Sequence, residues 1–438
     1  MLTQFLIAAV LAACAAHEVA EEEEESTLLF VQAVWRHGDR SPSHTFKGDV
    51  ENPESSWPQG FGELTEEGIR QHYRLGQFLR RRYGHFLSER YSRDEIYVRS
   101  TGYNRTIMSA MANMAGLFPP TGEQRWSADI HWQPVPVHSR PLLDDPMLDM
   151  WCPCPTAERL FAEQMRSPAV RKLNSEYADF FRFLSQQTLE EIETIHDAHR
   201  IYDPLRCERL HRDTHAVPAW ANDTVFELVH YLYDVDLGFY YGTPQLQRLR
   251  GGLLLADIAD RFLNQSAVVA DRRFKLYAYS AHDTTLAALM EALGCFNGRN
   301  PPYASVLLLE LHRRLSGDFE VKVFFRNDTA AEAEAVALRP SDCASTSSCT
   351  LSEFLARAES RRPADWGREC GLDGASHILG VPLWVLGVLG AVALNVLVLL
   401  ALSALIWHCA SRRYRGRRLL PTSETEADAH DDEQALIS

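Results

Sequence analysis

The sequence predicts an α/β domain with an inserted, mostly helical cap and one C-terminal transmembrane helix. Strand-like apolar runs at 28–35 and 275–279 alternate with helical stretches, the pattern of an α/β core. Residues from about 151 to 247 are helical in pattern with few strand runs, as an inserted cap would be. Residues 378–407 carry no charge and exceed the roughly 20 residues that cross a hydrocarbon core.

In chain order, residues 1–16 are apolar and end in Cys14-Ala15-Ala16, the form of a secretory signal peptide without its usual positive start. Leu11-Ala12-Ala13-Cys14 also has the form of a bacterial lipoprotein box, which an anchor at the far end makes redundant. The run from Glu21 to Glu25 reads as a solvated segment. The strand at 28–35 is broken only by Gln32 and passes directly into Arg36-His37-Gly38-Asp39-Arg40. A buried strand therefore ends in a loop, where α/β folds carry their catalytic groups. Thr65-Glu66-Glu67-Gly68 opens a helix to about Tyr83, with Leu75, Phe78 and Leu79 on one face. Residues 95–98 suit a short strand, and 106–117 a helix rich in Met and Ala. Beyond the cap, the strand at 275–279 leads into Ser280-Ala281-His282-Asp283, and Asp283 with the following threonines can cap a helix to 293. Residues 305–312 and 319–325 alternate as strands do, and no internal repeat occurs.

These elements divide the chain into a leader (1–16), a lumenal or extracellular domain (17–377), a membrane span (378–407) and a tail (408–438). Within the domain, core segments 28–150 and 248–370 flank the cap at about 151–247. Arg412, Arg413, Arg415, Arg417 and Arg418 follow the span at once, which puts the tail in the cytosol and predicts a type I membrane protein.

Apolar residues make up 46% of the 438, enough for a large core, and exclude global disorder. A net charge of −15 argues against nucleic acid, whose phosphates it would repel. The nine cysteines fit an oxidising compartment. Apart from Cys14 and Cys409 they all fall in the lumenal domain, and their odd number there leaves at least one spare, with Cys152 or Cys154 the expected one. Asn-x-Ser/Thr sequons at Asn104, Asn222, Asn264 and Asn327 all lie on the same side of the membrane.

Two distant strand ends each present a histidine. Arg36 and Arg40 bracket His37, and planar guanidinium forks match phosphate oxygens. Gly38 would let the backbone approach a ligand. Standing alone, such a cluster could also be a structural ion-pair network, the lesser of the two readings. His72, His196, His199 and His211 read as surface or structural residues.

The first cluster, extended by Ser41-Pro42, and Ser280-Ala281-His282-Asp283-Thr284 together resemble the paired signature of the histidine acid phosphatases. The resemblance continues through Ser55 to Gly62, Arg99-Ser100-Thr101 with Asn104-Arg105-Thr106, and Trp132-Gln133-Pro134. Tyr202-Asp203-Pro204-Leu205 and Pro301-Pro302-Tyr303-Ala304-Ser305 complete it, so it covers about 28–370 and is nearest to the prostatic and lysosomal branch. It implies a mixed-sheet, three-layer core with a helical cap. It implies that His37 is a nucleophile forming a phosphohistidine, with Arg36, Arg40, Arg105 and His282 as phosphate ligands and no metal or other cofactor. The surrounding cations would depress the His37 pKa and keep the ring neutral in acid. Asp283 would protonate the leaving oxygen, which requires a protonated carboxyl.

Further expectations come from the same resemblance. Cys154 (or Cys152) would pair with Cys370, and Cys343 with Cys349. The family partner of Cys207 is replaced by Val306, so a relocated Cys207–Cys295 bridge is expected. Asn104 stands where relatives carry an aspartate, beside Arg105; a glycan there would crowd the site, so glycosylation is expected at Asn222, Asn264 and Asn327 only. Trp132 and His138 match dimer-interface positions, although both could be packed core residues. In the tail, Asp432-Glu433-Gln434-Ala435-Leu436-Ile437 fits an acidic dileucine signal read by clathrin adaptors, which favours lysosomal or endosomal membranes over the cell surface. Substrates would be small phosphomonoesters or phosphoproteins. Two alternatives stay open: a catalytically silent ectodomain that binds a phosphorylated ligand, and a phosphatase specialised for inositol phosphates.

Overall fold

Thr27–Arg36 (β1) is the central strand of an eight-stranded mixed sheet, and its apolar run is buried on both faces. The structure, a computed structural model, describes residues 27–267, 274–345, 348–372, 377–378 and 381–416. The predicted leader, the acidic run and the dileucine signal lie outside them. On one side β1 pairs in parallel with Leu276–Ala281 (β4), and β4 pairs in parallel with Ile96–Ser100 (β2). On the other side Val306–Arg313 (β5) is antiparallel to β1, and Phe319–Arg326 (β6) is antiparallel to β5. His138–Ser139 (β3) closes the edge beyond β2, and Val336–Leu338 and Cys349–Thr350 both pair with β6. Gln32, the polar break in β1, is fully buried and donates to the Ile258 carbonyl at 2.9 Å, so it leaves no unmet donor inside the core.

Helices cover both faces. Val31, Ala33 and Trp35 pack against Glu66–Tyr83 (α1) and Asn104–Leu117 (α2), through Leu75, Phe78, Leu79 and Met114 among others. Phe30 and Val34 face the other layer, formed by Gly252–Ala267, Asp283–Leu293 and Leu351–Arg361. The core is thus three-layered, as expected. Thr65 caps α1 by accepting from the Gly68 N–H at 3.1 Å. At the other predicted cap, His282 takes the N-cap position and Asp283 is the first helical residue, which turns the Asp283 side chain toward the strand ends.

The helical segment between core halves runs from Pro155–Met165 to Pro244–Arg250 and has its own apolar cluster, including Phe181, Leu184, Ile195 and Val229. One of its helices, Ile195–Leu210 (α6 below), crosses above the sheet's C-terminal edge and carries Tyr202, Asp203 and Arg206. (Between α2 and α6 lie the helices Pro155–Met165, Pro168–Glu176 and Ala178–Thr188 as α3 to α5.)

Cys154 is bonded to Cys370, and Cys343 to Cys349; Cys152 is the spare of the neighbouring pair. The expected Cys207–Cys295 bridge is absent, and both are free thiols. Cys207 is fully buried on α6 with its sulfur 3.7 Å from the Tyr303 hydroxyl, whereas Cys295 packs against the core cluster of the helical layer beyond the sheet. They belong to different packing environments, and the loss of one partner did not bring a new one alongside. All four sequon asparagines are exposed; Asn104 donates to Glu63 at 3.1 Å.

Glu208, also on α6, is fully buried near Asp49. Burial, with repulsion from Asp49 second, pushes its carboxyl up to about 9. The folded value is raised above the unfolded one of about 4.3. The stabilisation is therefore fully present below about pH 4.3 and lost as pH rises toward about 9, by at most about 1.4 kcal/mol per unit. The melting temperature of the domain that carries Glu208 should fall between pH 5 and 8, and Glu208→Gln should flatten that slope. An unchanged slope in the variant would remove Glu208 as its cause.

The unit that ends at Gly371 is followed by a second one holding the helix Leu383–Gly416. Its apolar stretch Gly387–His408 is 22 residues long and lies fully outside any protein core. The helix begins five residues after the predicted start, directly behind Pro382, which cannot donate within a helix. Asn395 donates back to the Ala391 carbonyl at 2.9 Å and Ser403 to Leu399 at 2.8 Å, so both side chains donate within the span.

Candidate active site

Parallel pairing with register Arg36↔Ala281 and Ser100↔Ser280 brings three strand ends to one line. His37 follows β1, His282 follows β4, and Thr101 to Arg105 follow β2 into α2. Helix α6 closes the side opposite. All six residues predicted to carry chemistry, Arg36, His37, Arg40, Arg105, His282 and Asp283, line one cavity of about 360 Å³. Its place, outside the carboxyl ends of parallel strands, is where ligands bind in open α/β sheets.

His37 is 2% exposed, and its Nδ1 lies 2.8 Å from the Gly38 carbonyl oxygen. A carbonyl only accepts, so Nδ1 carries the proton and Nε2 keeps its lone pair. Burial first, then Arg105, Arg36 and Arg40, hold the ring far below the ordinary histidine range. The expected electrostatic effect is present, but desolvation exceeds it. His282, its ring centroid 5.6 Å from that of His37, hydrogen-bonds through Nε2 with Thr101 Oγ1 at 3.0 Å. Burial and then Arg105 keep it uncharged too.

The arginines differ in their partners. Arg36 is 2.9 Å from Asp283 Oδ2, donates to the Pro301 carbonyl at 2.6 Å and lies over the Tyr303 ring at 4.2 Å. Arg40 grips Asp203 with two contacts, 2.8 and 3.1 Å, and Asp203 also accepts from the Ser43 N–H at 2.9 Å. Arg105 has no acidic partner within 4 Å among the described residues; it rests over Tyr103 at 4.4 Å and donates to Gly62 at 3.3 Å. Burial, with Arg40 second, lowers it to about 10. Its charge is left for an incoming anion.

Asp283 departs from expectation. Burial would raise its pKa, but Arg36, Arg40, His282 and the Thr284 N–H outweigh that and hold the carboxyl below its usual range. The ion pair with the Arg36 guanidinium at 2.9 Å favours its carboxylate form. Gly38 also has another role: a Cβ there would come within 2.4 Å of the Gly68 carbonyl of α1. The glycine admits the helix against the loop, and ligand approach is not what requires it.

Residue typing alone missed the supports. Asp203, Tyr303 and Thr101 each stand within a motif noted above, yet their contacts run across elements. The histidines read as structural are placed accordingly. His72 is fully buried and donates from Nε2 to the Arg36 carbonyl at 3.0 Å, and His211 Nε2 lies 2.6 Å from Asp39 Oδ2, behind the loop. His196 and His199 both bind Asp236, at 3.0 and 2.9 Å.

Comparison with known proteins agrees with this arrangement. Residues 27–326 match the model of the histidine phosphatase superfamily, branch 2. Human lysosomal acid phosphatase is 40% identical over 378 residues, 85% of this chain and 87% of that one. Bovine prostatic acid phosphatase is 40% identical over 350 residues, 79% and 88% of the two chains. Among solved structures, Hafnia alvei phytase in complex with tartrate superposes with a TM-score of 0.61 at 18% identity, covering 79% of this chain and 98% of that one. At that identity the likeness concerns the fold. A match over 27–326 that spans both histidine-bearing strand ends leads to one conclusion: the chain belongs to branch 2 of the histidine phosphatase superfamily.

Proposed function

We propose that His37 Nε2 attacks the phosphorus of a phosphate monoester and holds the phosphoryl group until water removes it. The observation that carries this is the 2.8 Å contact of His37 Nδ1 with the Gly38 carbonyl oxygen: since a carbonyl only accepts, it assigns the proton to Nδ1 and leaves Nε2 as a buried, uncharged nucleophile beside Arg105. Phosphate oxygens would lie against Arg105 and the outer edges of Arg36 and Arg40, where charge grows in the transition state. A phosphate dianion shares the Arg36 charge with Asp283, so binding raises the Asp283 pKa toward the protonated form that a leaving alkoxide needs. The chain is an acid phosphatase, as the match to its relatives supports. Rapid alkaline quench of the enzyme during turnover of a ³²P-labelled aryl phosphate should trap label that is alkali-stable and acid-labile, as a phosphoramidate is. Label absent at every pH, with substrate still consumed, would sink the intermediate; no consumption would favour the silent, ligand-binding alternative.

Among the described residues one helix is long and apolar enough to cross a membrane, which supports a membrane-anchored enzyme. We place its active site on the lumenal side of a lysosomal or endosomal membrane, in type I topology, on the basis of the arginines behind the span and the lysosomal relatives. The acidic dileucine signal would be recognised by clathrin adaptors, and Leu436→Ala with Ile437→Ala should shift the protein to the cell surface; unchanged imaging would discard the signal. A homodimer through the edge strand β3, where His138 is exposed, should sediment at twice the monomer mass.

A further inference from the structure

The catalytic cavity has a larger neighbour. A cavity of about 960 Å³ opens on the outer side of α6, and Tyr202, Arg206 and Asn300 line both spaces. Arg206 therefore stands at the seam between them. It is the second guanidinium at the site, after Arg105, that has no acidic side chain within 4 Å among the described residues; Arg36 and Arg40 are each matched by an aspartate. Its contacts are aromatic instead. It donates to the Tyr202 hydroxyl at 2.6 Å and lies 4.8 Å from the centroid of the Tyr303 ring. The His37 ring lies against the same Tyr303, with centroids 5.7 Å apart, so nucleophile and cation flank one aromatic ring.

A half-buried guanidinium without a counter-ion is costly unless a ligand supplies one. The two acids of the larger cavity do not fill that need. Asp234 accepts from the Asn300 N–H at 2.8 Å and faces His230 at 3.7 Å, and Glu227 has no ion pair with Arg206. Phe226, Tyr231 and Pro302 give this cavity an apolar wall.

We infer that Arg206 forms a second anion subsite, which selects monoesters bearing a further carboxylate or phosphate a short, apolar distance from the scissile phosphate. The subsite rests on the phosphatase reading of the adjoining cavity. Such a substrate would place its reacting phosphate at His37 and Arg105 and its second anion on Arg206, with its body along Tyr202 and Tyr303. Planar guanidinium forks suit either anion.

The test compares phenyl phosphate with 4-carboxyphenyl phosphate and 1,4-phenylene bisphosphate, in wild type, Arg206→Gln and Arg206→Lys. Wild type should prefer the two probes that carry a second anionic group in kcat/KM by about tenfold, the factor for one charge-assisted hydrogen bond. In Arg206→Gln that preference should fall to near unity through KM, and Arg206→Lys should keep part of it. A larger loss for the bisphosphate than for the carboxylate would identify phosphate as the preferred second anion. A wild type without preference, or a variant that loses activity on all three probes in parallel, would overturn the subsite and leave Arg206 as a support for Tyr202 and Tyr303. Binding of phenylphosphonate against 4-carboxyphenylphosphonate, measured by calorimetry, gives the same ratio without turnover. If the wild type hydrolyses nothing, the phosphatase reading fails while the phosphonate ratio still decides the subsite.

Discussion

His37→Ala should lose aryl phosphate hydrolysis by at least about 10⁴-fold, because the bond to phosphorus is formed by the ring nitrogen and nothing else in the cavity can replace it. His282 is the other imidazole present, but its Nε2 is engaged by Thr101. Arg105 and the remaining arginines persist in the variant, so inorganic phosphate should still bind and still raise its melting temperature. That ligand response separates a chemical loss from a folding failure. Residual activity within tenfold of wild type would exclude His37 as the nucleophile. In the wild type, the acid limb of kcat/KM should lie below the ordinary histidine value of about 6.5, since burial and the arginines keep His37 neutral well into acid.

Asp283→Asn should have the second largest effect, about 10²- to 10⁴-fold, and its size should depend on the leaving group. An alkyl phosphate leaves as a basic alkoxide that needs the proton; a nitrophenolate does not. The deficit should therefore be large for alkyl esters and small for nitrophenyl phosphate, and a uniform deficit would point to a positioning role through Arg36. The sign of the pH dependence follows from the ion pair. Arg36 holds Asp283 ionised in the free enzyme, so rates should rise as pH falls and more of the bound enzyme carries the proton. In Asp283→Asn this alkaline limb should disappear.

Local pattern carried much of the fold. The apolar run before Arg36 and the one before His282 are strands because they are short, nearly continuous and end in glycine or capping residues. The helix from Thr65 was legible because its cap and its apolar face are both encoded within a few residues. Each of these signals is local. The pairing of cysteines is not, and there the expectation for Cys207 failed: absence of a family partner says nothing about where a sulfur points, and packing directed it at Tyr303.

The same division holds at the site. Residue types and their place at strand ends pointed to Arg36, His37, Arg40 and His282, while Arg105 and the role of Asp283 came from the family resemblance. Their charge states were not readable, because a pKa depends on burial and on charges brought in from other segments. Only the folded sheet, by setting Arg36 level with Ala281, made Asp283 a carboxylate against Arg36 and left Arg105 free. The position of α6 over the strand ends likewise put Arg206 between two cavities. Chain-local physics thus determined which groups are present, and long-range packing decided which of them are paired, which are neutral and which remain open to a substrate.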